Sequence, residues 1–173
     1  MRTNKKYFVE LEETFLDYPS PEGTAVIFFL SGCIHHCPGC QNPELQRPME
    51  YEESAEELSK RITEFAKRCC TNKVVISGGD PLSPNNIEYT KSILNNLGKT
   101  FDICIYTGYN YEDVKSFCLD GYKYIKCGKF DTTQKQRSYK TDEKMQFASP
   151  NQELYQFGSD ISLTKDGVFY FNK

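Results

Sequence analysis

The sequence predicts an α/β fold built on a mostly parallel sheet, and three observations support this. Apolar, β-branched runs alternate with segments of helical periodicity through the first 130 residues, and such alternation is typical of parallel strands joined by helical crossovers. Polar, glycine-containing loops directly follow three of the strands. About four strand–helix units are present, too few to close an eight-unit barrel, so we expect a partial, open β/α barrel.

Five segments are predicted as strands. Ala25–Leu30 is an uninterrupted apolar run, which is typical of a strand buried on both faces. An edge strand is expected over 6–16, separated from this run by a Pro-Ser-Pro-Glu-Gly turn. The remaining strands are predicted over 73–76, 101–106 and 122–126.

Capping signals and periodicity predict three helices. Ser54 and Glu57 form a capping-box pattern, after which apolar residues recur at helical spacing as far as Cys69. Ser83-Pro84 is a favourable N-cap and first-turn pair for a second helix that ends at Gly98. A short third helix is expected over 112–119.

The C-terminal part is expected to contain a loop region and a hairpin. Residues 128–157 are polar and aromatic with little periodicity. Beyond them, 161–163 and 168–171 flank Lys165-Asp166-Gly167, a pattern typical of a hairpin turn. Without repeats or a linker, 1–173 is interpreted as one domain, with a core over about 20–130 and the loop and hairpin over 128–173.

Composition and charge exclude several classes of protein. The 173 residues carry 21 basic and 24 acidic side chains, a net charge of −3, whereas a general nucleic-acid binder usually has a basic surface. The longest apolar run, Ala25–Leu30, falls far short of the ~20 residues that a membrane-spanning helix needs. The first six residues are polar and unlike a signal peptide. We therefore expect a cytoplasmic domain with no nucleic-acid or membrane partner.

Three of the eight cysteines are clustered in a Cys-x3-Cys-x2-Cys pattern at Cys33, Cys37 and Cys40. Since cytosolic thiols stay reduced, this spacing indicates metal or redox chemistry rather than disulfides. Three interpretations remain open: an iron–sulfur cluster with one iron lacking a protein ligand, structural zinc completed by a histidine, or a Cys37/Cys40 dithiol.

The other histidines and cysteines are given ordinary roles. His35 and His36 are expected to face solvent rather than bind metal. Cys104 and Cys118 are expected to fill the core, and the pair Cys69-Cys70 to be incidental. Cys127, which follows a strand end, is placed near the site.

Three polar segments each follow a predicted strand: the cysteine loop, the Gly78-Gly79 pair and Thr107-Gly108. In parallel α/β sheets, ligands bind at the carboxyl ends of the strands. These three segments should therefore converge on one site.

The motifs in this order resemble those of the radical S-adenosylmethionine superfamily, and more narrowly those of the activating enzymes of anaerobic ribonucleoside-triphosphate reductases. The resemblance covers about residues 20–155. It rests on the cysteine loop and on the segments Gly78-Gly79-Asp80-Pro81-Leu82, Tyr106-Thr107-Gly108-Tyr109, Gly128-Lys129-Phe130 and Ser149-Pro150-Asn151-Gln152.

The resemblance implies a residue for each part of the cofactor site. Cys33, Cys37 and Cys40 would ligate a 4Fe-4S cluster whose open iron binds S-adenosylmethionine. The implied contacts to that cofactor are the backbone of Gly39, Cys40 and Gln41 at the adenine, Ser77, Gly78, Gly79 and Asp80 at the methionine amine, and Thr107 at the carboxylate or ribose. Many superfamily members have an aromatic residue where Gly39 stands, and this family often has an acidic one where Cys127 stands.

The activity implied is that of an oxidoreductase. Such an enzyme cleaves S-adenosylmethionine reductively and uses the 5′-deoxyadenosyl radical to generate a glycyl radical on the glycyl-radical subunit of the reductase. No protein acid–base residue is assigned, because the cofactors supply the chemistry.

The basic stretch is typical of a solvated face, and a flavodoxin-like electron donor could dock on it; it contains Lys123, Lys126, Lys129, Lys135, Arg137 and Lys140. Two further interpretations stay open. Within the superfamily, the chain could activate another glycyl-radical enzyme or act on a small molecule; outside it, the chain could be a zinc-stabilised binding module without catalysis.

Overall fold

The computed structural model describes residues 10–171. Three α-helices, α1 (Ala55–Arg68), α2 (Ile87–Leu97) and α3 (Tyr111–Ser116), and two 3-10 turns, Pro43–Gln46 and Thr132–Gln134, lie among ten strands. The strands are β1 (Leu11–Thr14), β2 (Ala25–Leu30), β3 (Lys73–Gly78), β4 (Asp102–Tyr106), β5 (Tyr124–Cys127), β6 (Tyr139–Lys140), β7 (Lys144–Gln146), β8 (Glu153–Gln156), β9 (Thr164–Lys165) and β10 (Val168–Tyr170).

The main sheet has six strands in the order β1-β2-β3-β4-β5-β8. Strands β2 to β5 are parallel, as the alternation predicts, whereas β1 and β8 close the two edges in antiparallel orientation. The register pairs Leu30 with Gly78 and Tyr106 with Lys126, so the carboxyl ends of all four parallel strands lie side by side. Because parallel strands share a direction, the loops that follow them meet there.

The predicted edge strands need correction. The first is confirmed only over Leu11–Thr14, while its proposed residues 6–9 lie outside the described part of the chain. Strand β8 was not predicted, because Glu153–Gln156 lies in the aperiodic segment and is recognised only through its pairing with β5. Edge strands carry weak sequence signals because cross-strand partners, rather than their own pattern, stabilise them.

The second helix begins later than predicted. Ser83 is buried, its hydroxyl has no partner, and α2 starts at Ile87 with Asn86 as the N-cap residue. The backbone carbonyl of Ser83 accepts bonds from both Asn86 and Ile87, so residues 81–86 form tight turns instead of helix. The predicted Ser83-Pro84 cap was therefore wrong.

The other two helices are confirmed, although α3 covers Tyr111–Ser116 and so ends before the predicted 112–119 range does. The Ser54–Glu57 capping box at α1 is confirmed, with the Ser54 hydroxyl accepting from the Glu57 N–H at 3.2 Å. At α3, the side chain of Asn110 caps the helix by accepting from the Asp113 N–H at 2.9 Å. No helix within residues 10–171 is both long and apolar enough to cross a membrane.

The C-terminal hairpin is confirmed, but its first strand is displaced. Val168 pairs with Lys165, which leaves Asp166-Gly167 as a two-residue turn. The strand before it is Thr164–Lys165 and not 161–163. With β6 and β7 this hairpin forms a second, four-stranded sheet in the order β6-β7-β10-β9.

Two cores cover the two faces of the main sheet. On one face the helices pack an aliphatic cluster that includes Leu58, Ile62 and Ile93 against β2 to β5. On the other face a smaller cluster contains Tyr18, Cys104 and Phe147, with side chains of the small sheet packed against it. The ends of the parallel strands remain open between these two layers.

Candidate functional site

A cavity of about 330 Å³ lies at the carboxyl ends of the parallel strands. The three predicted metal ligands line it, as do all the predicted cofactor contacts except Gly39 and Asp80. The expected convergence of the three strand-end segments is therefore confirmed.

The cysteine loop leaves β2 and returns close to its start. The Gly32 N–H donates to the Leu45 carbonyl at 2.7 Å, and the Cys33 N–H donates to the Gln46 carbonyl at 3.0 Å. Within the loop, the Cys40 N–H donates to the Cys37 carbonyl at 3.2 Å. These bonds hold three half-buried thiols on one short, closed loop.

The sulfur atoms are spaced more widely than a single metal ion requires. The sulfurs of Cys33, Cys37 and Cys40 do not all lie within 4.8 Å of one another. Ligands about 2.3 Å from one tetrahedral zinc would place the sulfurs about 3.8 Å apart. Three half-buried thiols on one loop at wider spacing fit an iron–sulfur cluster bound at three corners.

Burial raises the pKa of the Cys33 thiol, and the nearby Asp80 carboxylate adds to the effect, although hydrogen bonds from the loop backbone oppose it. A thiol in this environment stays protonated until a metal displaces the proton. The raised pKa therefore disfavours a reactive free thiolate at Cys33.

Gly78 and Gly79 are required by contacts within the protein. A Cβ atom at Gly78 would lie 2.2 Å from the Leu30 carbonyl oxygen, and one at Gly79 would lie 2.4 Å from the Leu45 carbonyl oxygen. Glycine is therefore needed for β3 to approach the cysteine loop, whatever the cavity binds. Gly39, by contrast, is exposed, and its missing Cβ faces Thr132 rather than the cavity.

Asp80 is fully buried and already bonded within the protein. Its carboxylate accepts from the N–H groups of Leu82 and Gly108 at 2.8 Å each and from the Thr107 hydroxyl at 2.9 Å. The Thr107 oxygen also accepts from the Tyr109 N–H at 3.2 Å. In the structure these two side chains, which the resemblance implies as cofactor contacts, join the ends of β3 and β4.

His35 points inward, and the expectation that it faces solvent was wrong. Its side chain is 6% exposed, and its Nε2 lies 2.7 Å from a carboxylate oxygen of Asp80. His36, the next residue, is exposed as expected. The buried acceptor explains the difference, because a buried carboxylate draws a hydrogen-bond donor inward.

Asn86 is a further site residue that the sequence analysis missed. Its side-chain amide donates to the carbonyls of Ser31, Gly32 and Asp80 at 2.8, 3.3 and 2.8 Å, and its oxygen accepts from the Tyr51 hydroxyl at 2.7 Å. It thereby joins the start of the cysteine loop to the segment after β3. The sequence analysis placed it inside the predicted second helix, where no signal marked it as a site residue.

Lys126 is not part of a solvated basic surface, contrary to expectation. It is half-buried, lines the cavity, and has its Nζ 4.7 Å from the centre of the Tyr106 ring and 5.4 Å from that of Phe147. Burial lowers the pKa of this amine to about 8. Its position on β5 directs the side chain toward the face of the main sheet that the helices do not cover.

The remaining cysteines divide by position. Cys104 is fully buried as expected, but Cys118 is exposed, so the prediction of a core role for it was wrong. Cys127 is buried, and burial raises the pKa of its thiol. It lines a second, neighbouring cavity of about 530 Å³ beside His35, Gly108 and Tyr109.

The segment Ser149–Gln152 supports the loop that follows β5. The Ser149 hydroxyl accepts from the Asp131 N–H at 3.2 Å, and the side-chain amides of Asn151 and Gln152 donate to the carbonyls of Lys129 and Gly128. Gln152 also lines the cavity, so the end of this segment lies beside the site.

Comparisons with known proteins agree on one family. A family model described as "4Fe-4S single cluster domain" matches residues 20–155. A protein of Enterobacteria phage T4 is 29% identical over 112 residues, which is 63% of this chain and 70% of that protein. A Salmonella typhi protein is 30% identical over 108 residues, and one from Escherichia coli K12 is 29% identical over 108; these cover 58% of this chain and 69% of each relative. All three are named anaerobic ribonucleoside-triphosphate reductase-activating protein.

Proposed function

The chain belongs to the 4Fe-4S single cluster domain family and to the anaerobic ribonucleoside-triphosphate reductase-activating proteins, and from this premise we propose that it activates such a reductase by generating a glycyl radical on it. In this proposal the chain is a radical S-adenosylmethionine oxidoreductase. Its four parallel strands are the core of a partial, open barrel.

The observation that carries the proposal is the position of the three cysteines. One loop brings Cys33, Cys37 and Cys40 to the carboxyl ends of the parallel strands, on a cavity that Ser77 and Lys126 also line. Three protein ligands leave one iron of a 4Fe-4S cluster open, and that position is the binding site required for S-adenosylmethionine. The segment after β5 also lines the cavity.

When bound, the cluster and S-adenosylmethionine would supply an electron transfer that cleaves the sulfonium and yields a 5′-deoxyadenosyl radical able to take hydrogen from glycine. The residues of the chain would bind and orient the cluster and S-adenosylmethionine. Cys33, Cys37 and Cys40 would hold the cluster, and the cavity beside them would exclude water. The Ser77 and Lys126 side chains offer the cavity a hydroxyl and an amine for a polar ligand.

The partner proposed is the glycyl-radical subunit of the reductase, supplied with electrons by a flavodoxin-like protein. Leu16, which lines the cavity, is 60% exposed, so the cavity can be reached from the surface on this side. A peptide loop could enter there without the chain unfolding. The electron donor would dock on the exposed side chains of the basic stretch. Lys129 and Lys135 are exposed, whereas Lys126 is half-buried and would not contribute.

Electron paramagnetic resonance of the reconstituted protein tests this function. The chain is purified anaerobically, loaded with iron and sulfide, reduced, and measured with and without S-adenosylmethionine. We expect a reduced 4Fe-4S signal whose line shape changes when S-adenosylmethionine is added, because the open iron gains ligands.

Incubation with the anaerobic reductase should then produce a glycyl radical signal on the partner. A colourless protein that takes up zinc and ignores S-adenosylmethionine would overturn the proposal and favour a structural zinc module. A cluster that responds to S-adenosylmethionine but gives no radical on the reductase would point to another substrate.

A further inference from the structure

The cysteine loop turns one side chain inward between its first two thiols. Ile34 and His36 are exposed, whereas the imidazole of His35 between them is 6% exposed. A histidine in a surface loop has no hydrophobic reason to be buried so completely. The cause must lie in the groups that surround it.

The first of those groups is the carboxylate of Asp80. It is fully buried, and His35 is the one basic side chain within 4 Å of it among residues 10–171. The 2.7 Å contact therefore joins the cysteine loop directly to the end of β3, and through Thr107 and Gly108 to the end of β4. Loss of one partner from a buried charged contact is costly, because the other is left without compensation.

The second group is the backbone and ring that enclose the imidazole. A Cβ atom at Gly108 would lie 2.4 Å from the His35 ring, so glycine is needed for the ring to fit. On its other side the ring meets Tyr109 edge to face, with 4.7 Å between ring centres. The imidazole thus has one position in which it can be accommodated.

A mononuclear metal site formed by Cys33, His35 and Asp80 would also bring these residues together, since their ligand atoms lie within 4.8 Å of one another. The distances disfavour it. Two ligands about 2.05 Å from one tetrahedral ion lie about 3.3 Å apart, whereas His35 Nε2 and the Asp80 oxygen are 2.7 Å apart. A separation of 2.7 Å is that of a hydrogen bond, and it is too short for both atoms to bind one tetrahedral ion.

We propose that His35 is a positioning residue for the cluster: its Nε2–H donates to Asp80 and so fixes the stretch between Cys33 and Cys37 on the ends of β3 and β4. This inference rests on the proposed function, because it concerns the cluster that the three thiols would hold. His35 itself touches neither cluster nor substrate in this role. It acts through the placement of the loop.

The test compares cluster assembly in four single variants of the full chain and in the double variant of His35→Ala with Gly108→Ala. His35→Ala removes the donor, and His35→Gln restores an N–H at a similar reach. Gly108→Ala displaces the ring without removing it. His36→Asn is the matched control, because it changes the neighbouring exposed histidine and suits its positive φ of 47°.

The measurements are iron and sulfide per chain, the resonance spectrum of the reduced cluster, and circular dichroism of the metal-free protein. We expect cluster affinity to fall about 10-fold or more in His35→Ala, as for other residues that orient metal ligands. His35→Gln should restore most of the cluster affinity, and His36→Asn should match the wild type. The Gly108→Ala defect should disappear in the His35→Ala background, because the clash needs the ring.

Three results would overturn the inference: wild-type cluster content and spectrum in His35→Ala, equal losses in His36→Asn, or a Gly108→Ala effect of the same size whether or not the ring is present. Tight binding of one zinc per chain that depends on His35 would favour the mononuclear site instead. A wild-type chain that assembles no cluster would overturn the proposed function itself. If His35→Ala fails to fold, His35→Gln, which also lacks the ring, serves as the background in which the Gly108→Ala effect is measured.

Discussion

The two faces of the main sheet are built from different kinds of side chain. The fully buried side chains under α1 to α3 are mostly aliphatic and include Leu58, Ile62 and Ile76. The opposite face contains Tyr106, Cys104 and the half-buried Lys126, and it borders the cavity. Burial of aliphatic area stabilises a fold, whereas burial of an amine opposes it. The helical face therefore contributes stability, and the other face provides the site at a cost in stability.

On the second face Tyr106 keeps its hydroxyl bonded, whereas the buried hydroxyl of Tyr18 has no hydrogen-bond partner. Tyr106 donates to the carbonyl of Asp17, and burial raises the pKa of the Tyr106 hydroxyl well above its ordinary value. Its ring also flanks Lys126. The aromatic side chains thus fill the layer behind the cavity, and the unpaired Tyr18 hydroxyl there is a cost in stability.

The largest effect is expected when the cysteine loop is changed and both faces are left intact. Cys37→Ala should abolish cluster assembly and cleavage of S-adenosylmethionine, because two thiols cannot replace three. Iron analysis and product chromatography measure the two losses. Cys118→Ala, which changes an exposed cysteine outside the cavity, should behave as the wild type. Full cleavage activity in Cys37→Ala would contradict the assignment.

A change on the helical face should alter stability and leave the site intact. Ile62 is fully buried in α1, so Ile62→Ala should lower the free energy of unfolding by about 2–5 kcal/mol through lost burial and a cavity. Urea unfolding monitored by circular dichroism measures this. Molecules that remain folded should still assemble the cluster, and selective loss of the cluster would show that the two faces are not independent.

On the other face, removal of a buried charge should stabilise the protein. Lys126→Met should raise the free energy of unfolding at pH 7, by an upper bound of about 3 kcal/mol, since the folded protein disfavours the charged amine. The folded pKa lies below the unfolded one. The penalty is therefore complete below about pH 8 and fades as the pH rises from there toward the ordinary lysine value.

The difference between Lys126→Met and the wild type should accordingly shrink between pH 8 and pH 10 in urea titrations. The comparison of two proteins at each pH cancels the titration of tyrosines and thiols common to both. A difference that stays constant with pH would mean that Lys126 is charged and fully solvated in the folded state. That result would contradict the half-buried position of the Lys126 amine in the cavity.

The smallest effect is expected at the start of the helical face. Ser54→Ala should cost about 1 kcal/mol of stability, because the hydroxyl satisfies an N–H of the first turn of α1. Urea unfolding again measures it. Thr133→Ala, in the exposed 3-10 turn, offers a comparison with a surface hydroxyl outside an α-helix, and an equal loss there would argue against a specific cap at Ser54.

The sequence was sufficient for the parallel core and for the position of the cysteine loop. Hydrophobic runs such as Ala25–Leu30 and the caps of α1 are local patterns, and the structure confirms them. The convergence of the strand-end loops followed from strand direction alone. Strand β8 was missed, because its four residues gain their order only by pairing with β5.

What the sequence determined by itself was the set of groups that meet at the site: three thiols on one loop, a glycine pair and a threonine at successive strand ends. Only the tertiary structure decided what the polar side chains do there. It turned His35 inward to Asp80, committed Thr107 to the same carboxylate, and placed Lys126 in the cavity. The reason is that spacing and periodicity are properties of neighbouring residues, whereas hydrogen-bond partners and desolvation depend on groups that the fold brings together from distant parts of the chain.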